Sequence, residues 1–452
     1  MPRRRVVTRR PSLRQRRRQP RRHRRAAAAA AAASALTVCA ALTLSGCDAL
    51  GIGSGASAQP TDWTGKTITV WLMKGDDPAA WTDSVRTDFT RAYPGATVKF
   101  VEQQWTDIQQ TLSQALAAPI PPDVVEIGNT QTAYYADLGG LLDLSPYNKE
   151  LGASQWTASM SASTVYKGVE YAAPWYAGMR VVMYDKKLWA AAGLTRTPAT
   201  RAEWFHDLDV LKATPGVDSA LYLPGQNWYA FDGFLQDAGA DIITTEDGHQ
   251  VGDLDSKAAL SAAQLFKRLQ SYGTAPADQN EANQDAVFAK GRTATMIAMG
   301  YEGDAVTAAN PKLNGEIGWF PIPGATAAKP AKTFLGGSDL AIPLNSHNRD
   351  LAAGFLRIAL DDDNEALFAK LSGFLPNRSS LYSALSGNAY AQAATKAADY
   401  AGYTPFLPNW GNVEQAPNPI TQLFLTPVLE GKDPQAAAKA ADQAITSRLS
   451  AQ

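Results

Sequence analysis

The chain has 452 residues, with 42 Lys+Arg against 43 Asp+Glu, four His and two Cys. This length is enough for two domains. Two cysteines exclude a disulfide scaffold and a cysteine-rich zinc module. The near-neutral balance hides a strong asymmetry: the first 46 residues hold thirteen Arg and no acid, leaving 29 basic against 43 acidic side chains from Cys47 onward. So acidic a surface argues against nucleic acid as a partner, since phosphate contact needs a basic footprint.

The basic start is followed by an almost purely apolar run, Ala26 to Leu44. A basic n-region, an apolar h-region and small residues make an export signal over 1–46. A retained membrane helix is the second reading, as the run approaches spanning length. Leu44-Ser45-Gly46-Cys47 resembles the lipobox of bacterial lipoproteins. That resemblance implies cleavage before Cys47, a lipid on its sulfur, and a protein anchored to the outer face of the cell membrane. The stretch 47–65, rich in Gly, Ser and Ala, reads as a flexible tether.

Order begins at Lys66–Met73, a β-branched run that predicts a buried strand. A helix is expected over 78–93, with Trp81, Val85 and Phe89 at fourfold spacing and Pro94-Gly95 as stop. A second strand over 97–101, a helix over 108–118 and a third strand over 123–127 follow. This alternation predicts an α/β fold with a mostly parallel sheet covered by helices. The pattern resumes with a strand at 181–184 and a short helix at 185–192. Thr200-x-x-Glu203 is a capping box, and 244–251 reads as a hairpin around Asp247-Gly248. Residues 257–271 form an amphipathic helix. Residues 288–297 read as a helix end, a glycine turn and a strand, and the last third is mainly helical. The run Asp361–Glu365 is acidic but lacks a calcium-loop pattern and reads as a helix-start cap.

Six segments in this order, "ITVWLM", "PPDVVEIGN", "YAAPWYAGMRVVMYDKKLWAAAGL", "PATRAEWFHDLDVLK", "VFAKGRTATMIAMGYE" and "FLGGSDLAIPLNSHNRDLAAGFLRIAL", resemble the extracellular solute-binding proteins of sugar ABC transporters, the group related to maltose-binding protein. The resemblance runs from about residue 66 to the end. It implies a type II periplasmic-binding-protein fold, in which two α/β lobes joined by a hinge close on a ligand between them. Lobe one is then 66–176 with 333–390, and lobe two 177–332 with 391–452. It also implies a monomeric receptor that hands a sugar, expected to be an oligosaccharide, to permease subunits of an importer, without cofactor or metal.

A pyranose offers apolar C–H faces and an edge of hydroxyls, so its site needs aromatic rings to stack and polar side chains to bond. Aromatics beside polar groups at pattern breaks are therefore the candidates. Trp175 and Tyr176 lie at the expected crossing between lobes, with Arg180 just beyond. Trp228, with Asn227, follows Pro224-Gly225, and Tyr229 is as readily a packing residue. Tyr301 and Glu302 follow the strand "TATMIAM", although Glu302 also suits a helix N-terminus. Relatives place a late tryptophan at the cleft, which points to Trp410. From lobe one come Glu126 and Asn129 at the end of the third strand; a carboxylate in an apolar strand needs a partner. Asp76, Trp105 and Gly337 complete the set, Gly337 because glycine permits close backbone approach.

Two rivals stand beside the sugar receptor. A tethered glycoside hydrolase would need two carboxylates set across the scissile bond, and nothing in the sequence pairs Glu126, Glu302, Asp76 or Asp339. A receptor for a polyamine or peptide would want an acidic box with aromatics, and the acidic chain keeps that reading open.

Overall fold

A computed structural model of the protein describes residues 62–451. The expected signal peptide, Cys47 and most of the tether lie outside the described residues. Among the described residues no helix is long and apolar enough to cross a membrane.

The chain opens with β1 (Thr67–Met73), β2 (Thr97–Gln103) and β3 (Val124–Gly128), joined by helices Ala79–Ala92 and Ile108–Ala117. Both neighbours of β1 run parallel to it, as strand–helix alternation requires. Trp81, Val85 and Phe89 of the first helix are buried against the sheet. A small hairpin, β4 (Val165–Tyr166) and β5 (Val169–Glu170), precedes β6 (Ala173–Met179) and β7 (Val181–Asp185). Hairpin β8 (Ile243–Glu246) and β9 (His249–Gly252) turns at Asp247 and Gly248, both with positive φ. Then come β10 (Thr295–Ala298), β11 (Ile317–Phe320), β12 (Thr333–Ala341), β13 (Leu375–Pro376) and β14 (Ala401–Gly402).

These strands build two sheets. The larger has the order β13-β6-β12-β3-β1-β2, with β14 against the start of β12; the smaller is β10-β7-β11. The sequence pattern predicts mostly parallel pairing, and this holds for β1 to β3 and for the short β14 against β12. β12 enters from the smaller-sheet side and runs antiparallel to both β3 and β6, and the smaller sheet is antiparallel throughout. The chain thus crosses between the halves at Arg180, between β11 and β12, and near β14. Each half has its own core. One gathers Trp81, Phe89, Trp175, Phe355 and Phe368; the other gathers Trp204, Phe231, Phe266, Trp410 and Phe424.

Local signals explain the elements. Thr200 accepts from the Glu203 N–H at 3.2 Å and Glu203 returns the contact to the Thr200 N–H at 3.3 Å, closing the expected capping box on helix Arg201–Ala213. Asp361 caps helix Asp362–Ser372 by accepting from the Asn364 N–H at 2.8 Å.

The stretch "APWYAGM" does not form the loop expected at the crossing: it is β6, buried throughout. Strand alternation then sends neighbouring rings to different surroundings. Trp175 is fully buried, 5.0 Å from Trp81 and 4.5 Å from Phe368 between ring centres. Trp175→Ala is expected to cost about 3–5 kcal/mol of stability through cavity formation, read as a lowered urea midpoint. A midpoint equal to the wild type would remove Trp175 from the core.

Candidate functional site

A cleft of about 440 Å³ lies where the two sheets meet, within the usual size of small-molecule sites. Four elements make its floor. β6 brings Tyr176, the crossing after it brings Arg180, the start of β12 brings Phe334 and Gly337, and Phe374 precedes β13. Tyr176 stacks on Phe374 with ring centres 4.5 Å apart and planes 11° apart. Tyr229 stacks on Phe334 at 4.7 Å, and the Arg180 guanidinium sits 4.7 Å above the Tyr229 ring. Arg180 donates twice to Glu281, at 3.1 and 2.5 Å. Gly337 has φ 151°, and a Cβ there would fall inside the Tyr176 carbonyl oxygen, so only glycine fits.

The walls come from loops at strand ends. Asp76 follows β1, Trp105 follows β2, and Asn129 follows β3; Tyr301 and Glu281 come from the opposite half. Trp105 and Tyr301 are 44% and 51% exposed, so each half presents a large ring that is not consumed by packing. Asn129 is held by donating to the Leu335 carbonyl at 3.1 Å. Burial pushes the Asp76 carboxyl up to about 7. Directly associated with it, Glu126 is pushed well above the carboxylate range, first by burial and then by the charge of Asp76.

Of the candidates read from sequence, Asp76, Trp105, Asn129, Tyr176, Tyr301 and Gly337 come together on this cleft, as does Arg180. The others are placed elsewhere. Trp175 is in the core. Asn227 is the N-cap of helix Trp228–Asp237, accepting from the Ala230 N–H at 3.1 Å. Trp228 turns into the core beside Trp410, and its neighbour Tyr229 faces the cleft. Consecutive helical residues point about 100° apart, so the ring that reaches the cleft is decided by helix phase. Glu302 is buried, accepting from the Met299 N–H at 2.7 Å and from Gln284 at 2.7 Å; it completes a helix start instead of facing ligand. Trp410 is fully buried, its indole N–H donating to Glu414 at 2.8 Å. Glu126 lies under the floor, accepting from the Met73 N–H at 2.7 Å and the Tyr176 hydroxyl at 3.2 Å. Beyond the expected set, Tyr229, Glu281, Phe334 and Phe374 line the cleft. Only Tyr229 carried a sequence signal, through its place in "QNWY".

Two α/β halves joined by crossings, with an aromatic cleft at the joint, define a clamshell binding protein. The chain belongs to the bacterial extracellular solute-binding protein family, whose profile matches residues 74–366. Similar to it is the diacetylchitobiose-binding protein DasA of Streptomyces coelicolor, 42% identical over 413 residues that cover 91% of this chain and 96% of DasA. Among solved structures, the GacH receptor of Streptomyces glaucescens, described unliganded and with acarbose, has a TM-score of 0.74 at 23% identity, covering 85% of this chain and 98% of that one. The sugar-binding protein MalE of Xanthomonas citri has a TM-score of 0.72, also at 23% identity, covering 85% and 97%. These establish a maltose-binding-protein type of fold and an exported binding protein.

The paired acids set a pH dependence. A carboxyl raised in the folded state stabilises the fold while protonated, below its unfolded value near 4, and that stability is lost as pH rises through about 7 for Asp76. The melting temperature is therefore expected to fall between about pH 4 and about pH 7, and to fall less in Asp76→Asn, which removes both this titration and the repulsion on Glu126. Thermal unfolding across that range checks this. Parallel curves for the two proteins would show that the pair does not interact.

Proposed function

We propose that the protein is a membrane-tethered receptor that captures a sugar in the cleft and delivers it to an ABC importer permease. The observation that carries this reading is the cleft itself: unconsumed rings on both walls, stacked rings on the floor, and Asp76, Asn129 and Arg180 at hydrogen-bonding positions. Rings take the C–H faces of a pyranose and the polar groups take its edge.

The ligand we favour is an N-acetylated amino-sugar disaccharide. DasA, which covers nearly the whole chain, is named for binding diacetylchitobiose. Met299, Phe334 and Phe374 give the cleft lining an apolar surface for acetyl methyls. No catalytic step is assigned: Glu126 is spent beneath the floor and Glu281 on Arg180, so neither stands free as the second carboxylate of a hydrolase. The receptor acts as a monomer, in two lobes that change over close to the divisions read from the sequence, 66–176 with 333–390 and 177–332 with 391–452. Cys47 carries the lipid.

Titration calorimetry with diacetylchitobiose tests the ligand. Binding is expected, and Tyr229→Ala should weaken it by about 2 kcal/mol or more, because it removes a stacking surface together with the support of Arg180. Binding unchanged by this substitution would take Tyr229 out of the site. Incubation with longer oligosaccharides should release no product; release would instead establish the hydrolase. Cys47→Ser should move the protein from the membrane fraction to the medium, since without acyl chains nothing holds it. Retention of this variant at the membrane would point to an uncleaved apolar anchor.

A further inference from the structure

Negative charge at the cleft is in surplus. Arg180 is neutralised by Glu281, at 3.1 and 2.5 Å. Asp76 lines the cleft and Glu126 lies beneath it, and among the described residues neither forms an ion pair with a Lys or Arg. Their surroundings are neutral donors. Ser338 donates to the Tyr176 hydroxyl at 3.0 Å, Tyr176 donates to Glu126 at 3.2 Å, and the Met73 N–H donates to the second Glu126 oxygen at 2.7 Å. The other titratable groups facing Asp76 are Asp77 on its own loop and Tyr301 from the opposite wall, neither a cation. Lys74 shares the cleft wall but stands exposed, where water screens its charge.

Two carboxylates without a counter-cation are costly in a buried setting. A wholly neutral ligand leaves that cost in place and excludes more water from Asp76. A ligand ammonium against Asp76 would remove it. The exposed rings of Trp105 and Tyr301 around the same cleft supply faces that attract a cation. The same side chains that accept sugar hydroxyls therefore also form an anionic, aromatic-walled seat for an amine.

We propose that the cleft also takes sugars bearing a free amino group, with the ammonium seated on Asp76 above Glu126, so that partly or fully deacetylated amino-sugar disaccharides are ligands beside the N-acetylated form. This rests on the sugar-receptor reading above. The site would then accept two forms of one disaccharide that differ only in acylation: the acetyl methyl goes to the apolar lining, the free amine to the acid pair.

The test is titration calorimetry with the disaccharide of glucosamine and with its diacetylated form, side by side. Both are expected to bind. Between about pH 5 and about pH 7 the affinity for the amine form should rise by about tenfold relative to the diacetylated form, as Asp76 becomes ionised. Asp76→Asn should abolish that relative rise and cost the amine form about tenfold more affinity than the diacetylated form; its melting temperature verifies that it is folded. If the diacetylated disaccharide binds and the amine form does not, or if Asp76→Asn weakens the two equally at both pH values, the proposal is overturned and the receptor reading stands. If no sugar binds, both fall. Spermidine binding in the absence of any sugar binding would overturn both in favour of a polyamine receptor.

Discussion

The antiparallel pairing of β6 with β12 is the constraint on which the rest depends. Each strand borders a crossing between the halves, β6 at its end and β12 at its start, so hinge and cleft floor adjoin. The register sets Gly336 opposite Gly178, Gly337 opposite Ala177 and Ser338 opposite Tyr176, with an irregularity after Ser338. One of these positions tolerates no Cβ: at Gly337 it would collide with the Tyr176 carbonyl, whereas at Gly178 it would meet the movable methyl end of Met299. Backbone is thereby exposed at the floor, and Tyr176, Arg180 and Phe334 are aimed from two strands into one space. A bend or bulge at such a point re-aims side chains without loosening the sheet. It is also why Ser338 reaches the Tyr176 hydroxyl and, through it, Glu126.

On that floor the chemistry is of two kinds. Arg180 is held between the Tyr229 and Phe334 rings and the Glu281 carboxylate, so its planar fork is fixed in position before any ligand arrives. Asp76 and Glu126 have no such partner, and burial drives both toward the neutral form. The first arrangement preorganises; the second stores an electrostatic cost that a ligand can relieve. Binding sites commonly retain groups that are poor for stability because they are useful for recognition.

Much of the scaffold was legible in the chain because its signals are local. Thr200 and Glu203 announce their cap, Asp247-Gly248 its hairpin, and Trp81, Val85 and Phe89 a helix face. The antiparallel entry of β12 was not legible, since nothing local in "FLGGSDLA" reports which strands flank it. The site followed the same division. Asp76, Trp105, Asn129 and Tyr301 were readable because each follows the end of a strand, where side chains escape the core. Trp175, Trp228 and Trp410 misled for one reason: a large ring beside Pro, Gly or Asn looks like a loop residue, yet the phase of the strand or helix decides whether it faces the cleft or the core. Tyr229 reaches the cleft because Trp228 starts the helix one position earlier. Phe334 and Phe374 carried no polar neighbour to distinguish them from core residues.

Trp410 shows how a residue suited to ligand can be used for the joint instead. Its indole N–H donates to one oxygen of Glu414, and Thr130, from the opposite half, donates to the other, each at 2.8 Å. Gly411 lies against the side-chain amide of Gln109 of that same half. The joint beside the cleft is therefore fastened through a carboxylate that burial has pushed to about 7 and that has only neutral donors. Hydrogen bonds of this kind contribute about 1–3 kcal/mol when intact, against the cost of keeping an unpaired acid dry. This contact gives direction to the meeting of the halves through neutral donors, without an ion pair. A receptor must release what it captures, and a joint closed by cations on that carboxylate would oppose release. With the fastening kept weak, the balance between apart and together is left to whatever occupies the rings of the cleft.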